Sequence, residues 1–563
     1  MAIADQPRVI GLALAGGWRR ARSLLGLFPG RLRIGGPAPD RLVLAPPDLH
    51  TADPIVAQDI YAGVFHLAGH TASATGDSPF RIQAPHPRWE HELHSFAWLC
   101  HLAAAGDALS AQNAQALVSD WLDLHARPDA SPAWRVETAA RRLIAWLCHS
   151  VLIVEDTDFA FYRRFLKSIG HHLRFLRRHA GRATDGLPRL VAEIALAYGS
   201  VCVATAAAEP RPSCERLDAE LARQILADGG HASRNPACLP ELLALLLPLR
   251  QSFARLGDAP SPELVSAIDR MLPAMRFFRL GDGGFARFNG VSATPHDLLA
   301  TLLRYDDTRG MAPDNAGPSG YQRLARGDTI VLVDTGRPPA GDFSMAAHAG
   351  CLSFELSTGR SLLVVNCGVP SIPVAEAAAA ARATAAHSTV TVNDTSSCRF
   401  SVDGLIGRYL DGRILAGPQR VAVERGEDDD GITVVASHDA YQRAFAIVHE
   451  RALRLSAGGA VLAGTDSFFG DHHTAPRHAT RDRVAIRFHL HPGVRAQKAL
   501  DRRSVILWTG EGRRWMFACD DVEPQLAESI FFAGAGGPRR TVQIVLNARA
   551  AEHPRVGWRF ERQ

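Results

Sequence analysis

The spacing of apolar residues changes character once along this chain, and that change restricts the folds open to it. From His94 to residue 305 they recur every three or four positions: Phe96, Leu99 and Leu102, then Leu117, Val118, Trp121 and Leu122, then Leu143, Ile144, Leu147 and Val151. The pattern continues through Leu190, Val191, Ile194, Tyr198 and Val201, then Leu217, Leu221 and Ile225, Leu242 to Leu249, and Leu264, Ile268, Met271 and Met275. Each set forms one stripe on a helix of 3.6 residues per turn. Loops of Asp, Gly, Pro and Ser separate the stripes. Ser261-Pro262-Glu263 reads as a helix start, with a capping hydroxyl, proline at the first helical position and an acid in the first turn. From Tyr321 onward the apolar runs are short: Thr329 to Val333, Leu352 to Leu356, Leu362 to Val365, Val390 to Val392, Ile432 to Ala436, Phe445 to Val448, Ala452 to Leu455, Val484 to Leu490, Ser504 to Trp508 and Val542 to Leu546. Many short strands with little helix between them predict an antiparallel sandwich or stacked sheets.

Helices first and strands second predict an α+β multidomain chain, with a cleft between its two main units as the favoured place for a ligand. A single core is not expected at 563 residues. The boundaries read as an N-terminal arm and Pro/Gly-rich leader over 1–91, a helical domain over 92–305, a linker over 306–320 and a β domain over 321–563. Within the leader only short extended pieces are expected. The Ala-rich run Ala375 to Ala386 reads as a loop with a helical turn.

Charge excludes one class of partner. A net charge of +4, with 21% charged residues, gives no nucleic-acid footprint. Nine cysteines with no C-x-x-C pair argue against a disulfide framework or a cysteine zinc site. No run of about 18 apolar residues is present to span a membrane. Val9 to Ala15 is apolar, but Arg19, Arg20 and Arg22 follow it, the reverse of a secretory signal. A cytoplasmic protein is therefore expected. The basic arm of residues 1–34 can touch a membrane surface, or it is a solvated helix end.

Two histidines, His348 and His387, stand where two strands begin, next to loops that a rigid sheet could present to a ligand. D-H-H-T-A-P-R-H (471–478) is His-rich but sits in a Pro-containing loop without helical pairing. In R-F-H-L-H-P-G (487–493), His489 and His491 share one face of a strand. No P-loop, G-x-S-x-G or dinucleotide fingerprint occurs.

The segments H-A-G-C-L-S-F-E-L-S (348–357), V-V-N-C-G (364–368) and R-A-T-A-A-H-S-T-V-T-V (382–392), with D-G-G-H-A-S-R-N-P (228–236) and W-E-H-E-L-H-S-F-A-W-L (89–99) upstream, resemble the heparinase II/III family of polysaccharide lyases. The likeness covers roughly residues 60–500. It implies an N-terminal (α/α) toroid followed by an antiparallel β-sandwich, and β-elimination on an acidic, uronate-containing glycan. In that reaction a base removes the C5 proton, an acid protonates the leaving oxygen, and the carboxylate is neutralised. The resemblance also implies the periplasm as the alternative compartment.

The carry-over is incomplete. His348 matches the family's β-domain histidine and is the leading candidate for proton transfer. Where the toroid tyrosine is expected, Cys238 or Leu239 stands; where an Asn-His pair is expected, only Arg189 and Glu193 are charged. The family's structural metal positions read Gly350, Asn366 and His387, and one ligand of three cannot hold zinc. No metal or cofactor is therefore expected. Tyr321, Tyr441 and His231 are candidate substitutes for the missing proton-transfer groups. Arg234, Asn289, Arg382 and His387 are candidates for binding the substrate, Arg234 as a carboxylate fork. The main rival is a catalytically degenerate glycan-binding or cell-envelope polysaccharide assembly protein on the same fold. A glycoside hydrolase ranks third, because it needs two carboxylates about 5–10 Å apart across the cleft. Association with a second copy stays open.

Overall fold

The computed structural model describes residues 39–205, 211–306, 310–372, 374–401, 412–470 and 482–563. The basic arm and the His-rich run 471–478 lie outside the described residues. The α+β order holds: helices fill the chain from Pro54 to Leu303, and antiparallel strands dominate from Asn315 to Arg562.

Helix starts follow the local chemistry. Asp107, Asp158 and Ser261 accept the backbone N–H of Ser110, Phe161 and Leu264, and Pro262 occupies the first turn behind Ser261. Four helices distant in sequence, Pro87–Ser95, Val136–Cys148, Leu187–Cys202 and Cys238–Arg255, pack successively against one another. Helices Phe159–His179, Arg211–Gln224 and Pro262–Phe277 pack around them. Leu187–Cys202 is buried on nearly every face from Leu190 to Cys202, which is why its sequence is apolar almost all round. At Gly199 a Cβ would lie 2.2 Å from Leu173 Cδ2, so glycine lets the two helices approach.

The β part is two stacked sheets. One has nine strands in the order Gln525–Phe531, Arg539–Arg549, Arg483–Leu490, Ser361–Val365, Phe354–Thr358, Thr329–Asp334, Tyr321–Arg326 and Asn315–Ala316, with Val390–Val392 also paired to Arg483–Leu490. The other has eight: Val421–Asp428, Gly431–His438, Val448–Ser456, Val461–Phe469, Arg555–Arg562, Arg514–Ala518, Ser504–Trp508 and Arg495–Lys498. Phe354 stacks on Trp558 between them, at 5.6 Å and 7°. The nine-stranded sheet is covered on its other face as well: Tyr321, Leu332, Leu362, Val365 and Phe531 belong to the helical core.

The structure departs from the sequence reading in three places. The leader holds a helix, Pro54–Tyr61, and a hairpin, Val64–Leu67 with His70–Ser73; Ala57, Ile60 and Phe65 anchor them in the helical core. Residues 445–448 do not form one strand: Gln442–Phe445 is a short helix, and Ala446 at φ +55° turns the chain into Val448–Ser456. Asn315–Ala316, in the expected linker, pairs with Gln322 and Tyr321 as an edge strand.

One polar network lies inside the sandwich. Arg451 grips Asp466 through Nε and Nη2 at 2.8 and 3.0 Å and donates through Nη1 to the Leu352 and Ser388 carbonyls of the facing layer. His449 Nε2 and Trp558 Nε1 complete the carboxylate's shell at 2.8 Å each. Burial alone would raise the Asp466 carboxyl, but the Arg451 guanidinium and His449 outweigh it and hold the group well below its usual range. Asp466→Asn should destabilise the fold by about 3–5 kcal/mol, because it strands the Arg451 charge. Paired replacement by Arg451→Met and Asp466→Leu should recover much of that. Urea unfolding of the three proteins measures both effects.

Candidate functional site

The seam between the helices and the nine-stranded sheet collects most of the candidate residues. Arg234 follows the loop Asp228–Ser233 with φ +58°, a backbone shape that turns its side chain toward the sheet. Its Nε donates to Ser319 O at 2.7 Å, Nη1 to Gly336 O and Arg337 O at 3.1 and 3.0 Å, and Nη2 to Gly320 O at 3.0 Å and to the Asp334 carboxylate. All five N–H groups are used, so no fork is left for a substrate carboxylate. Arg234 is an interdomain clamp.

Tyr321 stands beneath that clamp, fully buried, with its ring 4.7 Å from the Arg234 guanidinium. Its hydroxyl donates to Arg234 O and accepts from Asn289 Nδ2, both at 2.6 Å. Burial raises its pKa above the ordinary tyrosine value despite the neighbouring cation, so it is a packed donor and does not act as a base. Asn289, at φ +46°, accepts the His348 N–H at 3.0 Å through Oδ1. Its amide is thereby spent on the seam.

His348 is only 4% exposed. Its Nδ1 lies 3.0 Å from His387 Nε2, and His387 Nδ1 lies 2.8 Å from Ala383 O. A carbonyl only accepts, so His387 carries its proton on Nδ1 and its Nε2 accepts from His348 Nδ1–H. Among the described residues His348 Nε2 has no partner. Burial, then His387 and Arg382, push the His348 pKa well below 6.5, so the ring is neutral. A neutral ring with a free lone pair has the chemistry of a base, but little of the residue reaches the surface.

The remaining candidates are also engaged. His231 donates from Nε2 to Gln224 Oε1 at 3.0 Å, and its Nδ1 accepts the Ser233 N–H at 3.1 Å; burial lowers its pKa to about 4. Tyr441 donates to Val390 O at 2.8 Å inside the sandwich core, where burial raises its pKa. Arg382 ties together Ala347 O, Gly412 O and Ser344 O at 2.7–3.0 Å. At the metal positions, Gly350 offers no ligand atom, and a Cβ there would sit 2.8 Å from the His387 ring; Asn366 Oδ1 accepts the Ser388 N–H at 2.9 Å. These residues do not fit a metal, and no group of three His, Cys, Asp or Glu among the described residues could hold one.

An open cavity lies apart from these residues, at the ends of several helices that form the mouth of the helical part. It has about 710 Å³ and is framed by the N-terminal ends of Pro87–Ser95 and Val136–Cys148, by Pro188 in the first turn of Leu187–Cys202, and by the C-terminal end of Phe159–His179. Arg88, Arg135 and Arg182 on its rim are exposed and have no ion pair among the described residues. His91 and His179 also line it, and burial lowers both pKa values. Glu92, Asp129 and Glu137 line it too, so acids match the arginines in number; Glu137 is paired with Arg141, and the helix N-termini and rim guanidinium groups are what offer an anion a positive contact. Sequence reading missed these residues. Their one local signal is proline in the first turn of two of these helices, Pro87 and Pro188.

Residues 308–559 match the heparinase II/III-like C-terminal family model. The whole chain is 32% identical, over 583 aligned residues, to FtsZ-localized protein C of Caulobacter vibrioides (strain NA1000 / CB15N), covering 99% of this chain and 98% of that protein. The chain belongs to the heparinase II/III-like family. Its fold is similar to that of heparinase III, with a TM-score of 0.66 and 12% identity over 87% of this chain and 80% of that one. It is also similar to the heparan sulfate lyase HepC from Pedobacter heparinus, with a TM-score of 0.58 and 15% identity over 90% and 82%. At these identities the likeness establishes the fold.

Within this heparinase-like frame, Cys238 and Leu239 begin the helix Cys238–Arg255 as packed core residues, and burial pushes the Cys238 thiol up to about 12. Arg189 pairs with Glu220 at 2.7 Å and Glu193 with Arg216 at 2.6 Å. The buried imidazoles make stability pH-dependent. His231 and His387 both fall from 6.5 to about 4 on folding, chiefly by burial. Between those values the unfolded chain binds protons that the folded chain does not, so stability falls on acidification through this window. The slope is at most about 1.4 kcal/mol per pH unit for each imidazole, and vanishes above the unfolded pKa. Urea unfolding near neutral pH and near pH ~5 should show a smaller loss in His387→Asn than in the wild type.

Proposed function

We propose that this chain is a binding protein of the cell-division apparatus, in which a heparinase-type scaffold holds an acidic glycan without cleaving it. One observation carries the reading: the groove with its three rim arginines and the expected proton-transfer groups are separated. β-Elimination needs a base at C5, an acid at the leaving oxygen and a neutralised carboxylate. The groove supplies the last through Arg88, Arg135 and Arg182. His348, His231, Tyr321 and Tyr441 are all buried away from it.

The division-site part rests on the relative named for its localisation with FtsZ, which matches this chain nearly end to end. Cytoplasmic placement and contact of the basic arm with a membrane surface belong to the same proposal. A second reading keeps the lyase reaction and is favoured by His91 and His179, two imidazoles that line the groove.

Incubation with a panel of uronate-containing polysaccharides, followed by ultraviolet absorbance of an unsaturated product, separates the two. Binding that is weakened at least about tenfold in the Arg88→Gln, Arg135→Gln, Arg182→Gln variant, without absorbance, is the expected result. Absorbance that rises in the wild type and disappears in His91→Asn or His179→Asn would establish the lyase instead. Polymerised FtsZ should carry the protein into the pellet; protein left in the supernatant would overturn the division-site assignment.

A further inference from the structure

A second cavity, of about 610 Å³, opens at the edge of the sandwich, between the turn 317–320, the loop 335–341 and residues 413–419. It shares no lining residue with the mouth of the helical part. Its position follows from the topology. The turn 317–320 leaves Asn315–Ala316, the edge strand of one sheet, and Val421 and Val423 belong to Val421–Asp428, an edge strand of the other. The two edges do not close on each other, and the gap between them is roofed by loops.

The polar lining is unbalanced. Three guanidinium groups, Arg234, Arg337 and Arg413, line the cavity, and no Asp or Glu does so among the described residues. Arg234 is saturated by its five acceptors. Arg337 is exposed at the rim and makes one bond, to Gln419 O at 3.3 Å. Arg413 is 4% exposed and pairs with Asp342 through Nη2 at 2.9 Å, while its Nε and Nη1 have no partner among the described residues. The Thr335 hydroxyl on the same lining is equally buried and equally unpartnered. Orphaned donors at this depth are rare in folded proteins, because each gives up its bonds to water without replacement.

We infer that this cleft is a second ligand site, taking a small molecule that carries a phosphate or carboxylate oxyanion. The guanidinium fork matches such an oxyanion in shape and charge. Arg337 meets the anion at the rim, and a small rotation of Arg413 brings its unused N–H groups to bear. Pro318, Pro338, Pro339 and Pro418 hold the walls in fixed backbone geometry, which limits the order lost on binding. The volume lies within the roughly 300–1,000 Å³ of small-ligand pockets.

The test is calorimetric titration of the full chain with sodium phosphate and, separately, sodium glucuronate, against sodium chloride at equal ionic strength. Saturable binding of at least one oxyanion is expected, and the stronger of the two identifies which group the site prefers. Arg337→Gln with Thr335→Val should weaken it at least about tenfold while leaving the far-ultraviolet circular dichroism unchanged. The Arg88→Gln, Arg135→Gln, Arg182→Gln variant should bind as the wild type does, which separates this cleft from the proposed glycan groove. No saturable heat with either anion, binding unaffected by the cleft substitutions, or binding abolished by the groove substitutions would each overturn the assignment.

Discussion

The inner strands of the nine-stranded sheet, Thr329–Asp334, Phe354–Thr358 and Ser361–Val365, have no wet face. One side of them meets the second sheet and the other meets the helices, so their polar groups must find partners inside the protein. Glu355 shows how this is met. Fully buried, it accepts the backbone N–H of Arg287 and of Asn366 at 2.9 Å and faces the Arg287 guanidinium at 3.3 Å. Arg323 crosses the same seam to the Phe277 and Arg279 carbonyls at 2.8 Å, and Arg234 gathers four carbonyls and a carboxylate. A planar group with five fixed donors suits a seam rich in unpaired carbonyls better than an ammonium does. Lys167 and Lys498 are the only lysines in the chain, and neither is used there.

That requirement governs the candidate residues. Asn289, Tyr321, His348 and His387 form one hydrogen-bonded line from the helical loops to the sheet, ending at Ala383 O. A group that closes such a line is held rigid and neutral, since a charge there would be unpaired in a dry seam. The atoms bonded along that line are not available to a sugar. The arginines at the helical mouth are free for the opposite reason: they stand at the outer ends of helices, where water already satisfies them.

The helical stripes and the switch to short strands were readable because they record burial on a fixed period; Leu143, Ile144 and Leu147 all lie in the core where the 3.6-residue repeat puts them. The helix Pro54–Tyr61 was not readable. It spans only two turns, and Ala57 and Ile60 are apolar enough to matter only once the larger core exists to receive them. Several of the family-like motifs fall on the seam, but local sequence could not say which way a side chain on it faced. Arg234 turns inward because its backbone takes a left-handed shape seldom adopted by non-glycine residues, and the five acceptors that reward that shape come from residues 85 to 103 positions away. The cleft of Arg337 and Arg413 was hidden likewise, since its walls come from three separate loops.

Net charge conceals how the charges are used. At +4 the chain is nearly balanced, yet many of its acids are spent in the interior: Asp334, Asp342, Glu355 and Asp466 are all buried against arginine. Each such pair removes a carboxylate from the surface field while using only part of its partner's donors, as Arg413 shows. Uncompensated guanidinium groups then gather where the packing leaves open space, at the sandwich edge. Screening at physiological salt limits the reach of exposed charges to about 8 Å, so each cavity responds to its own arginines and not to the chain's total. A nearly neutral protein can in this way carry one cleft lined by three arginines and, among the described residues, by no acid, and that cleft follows from burying carboxylates against arginine at the edge of the sandwich.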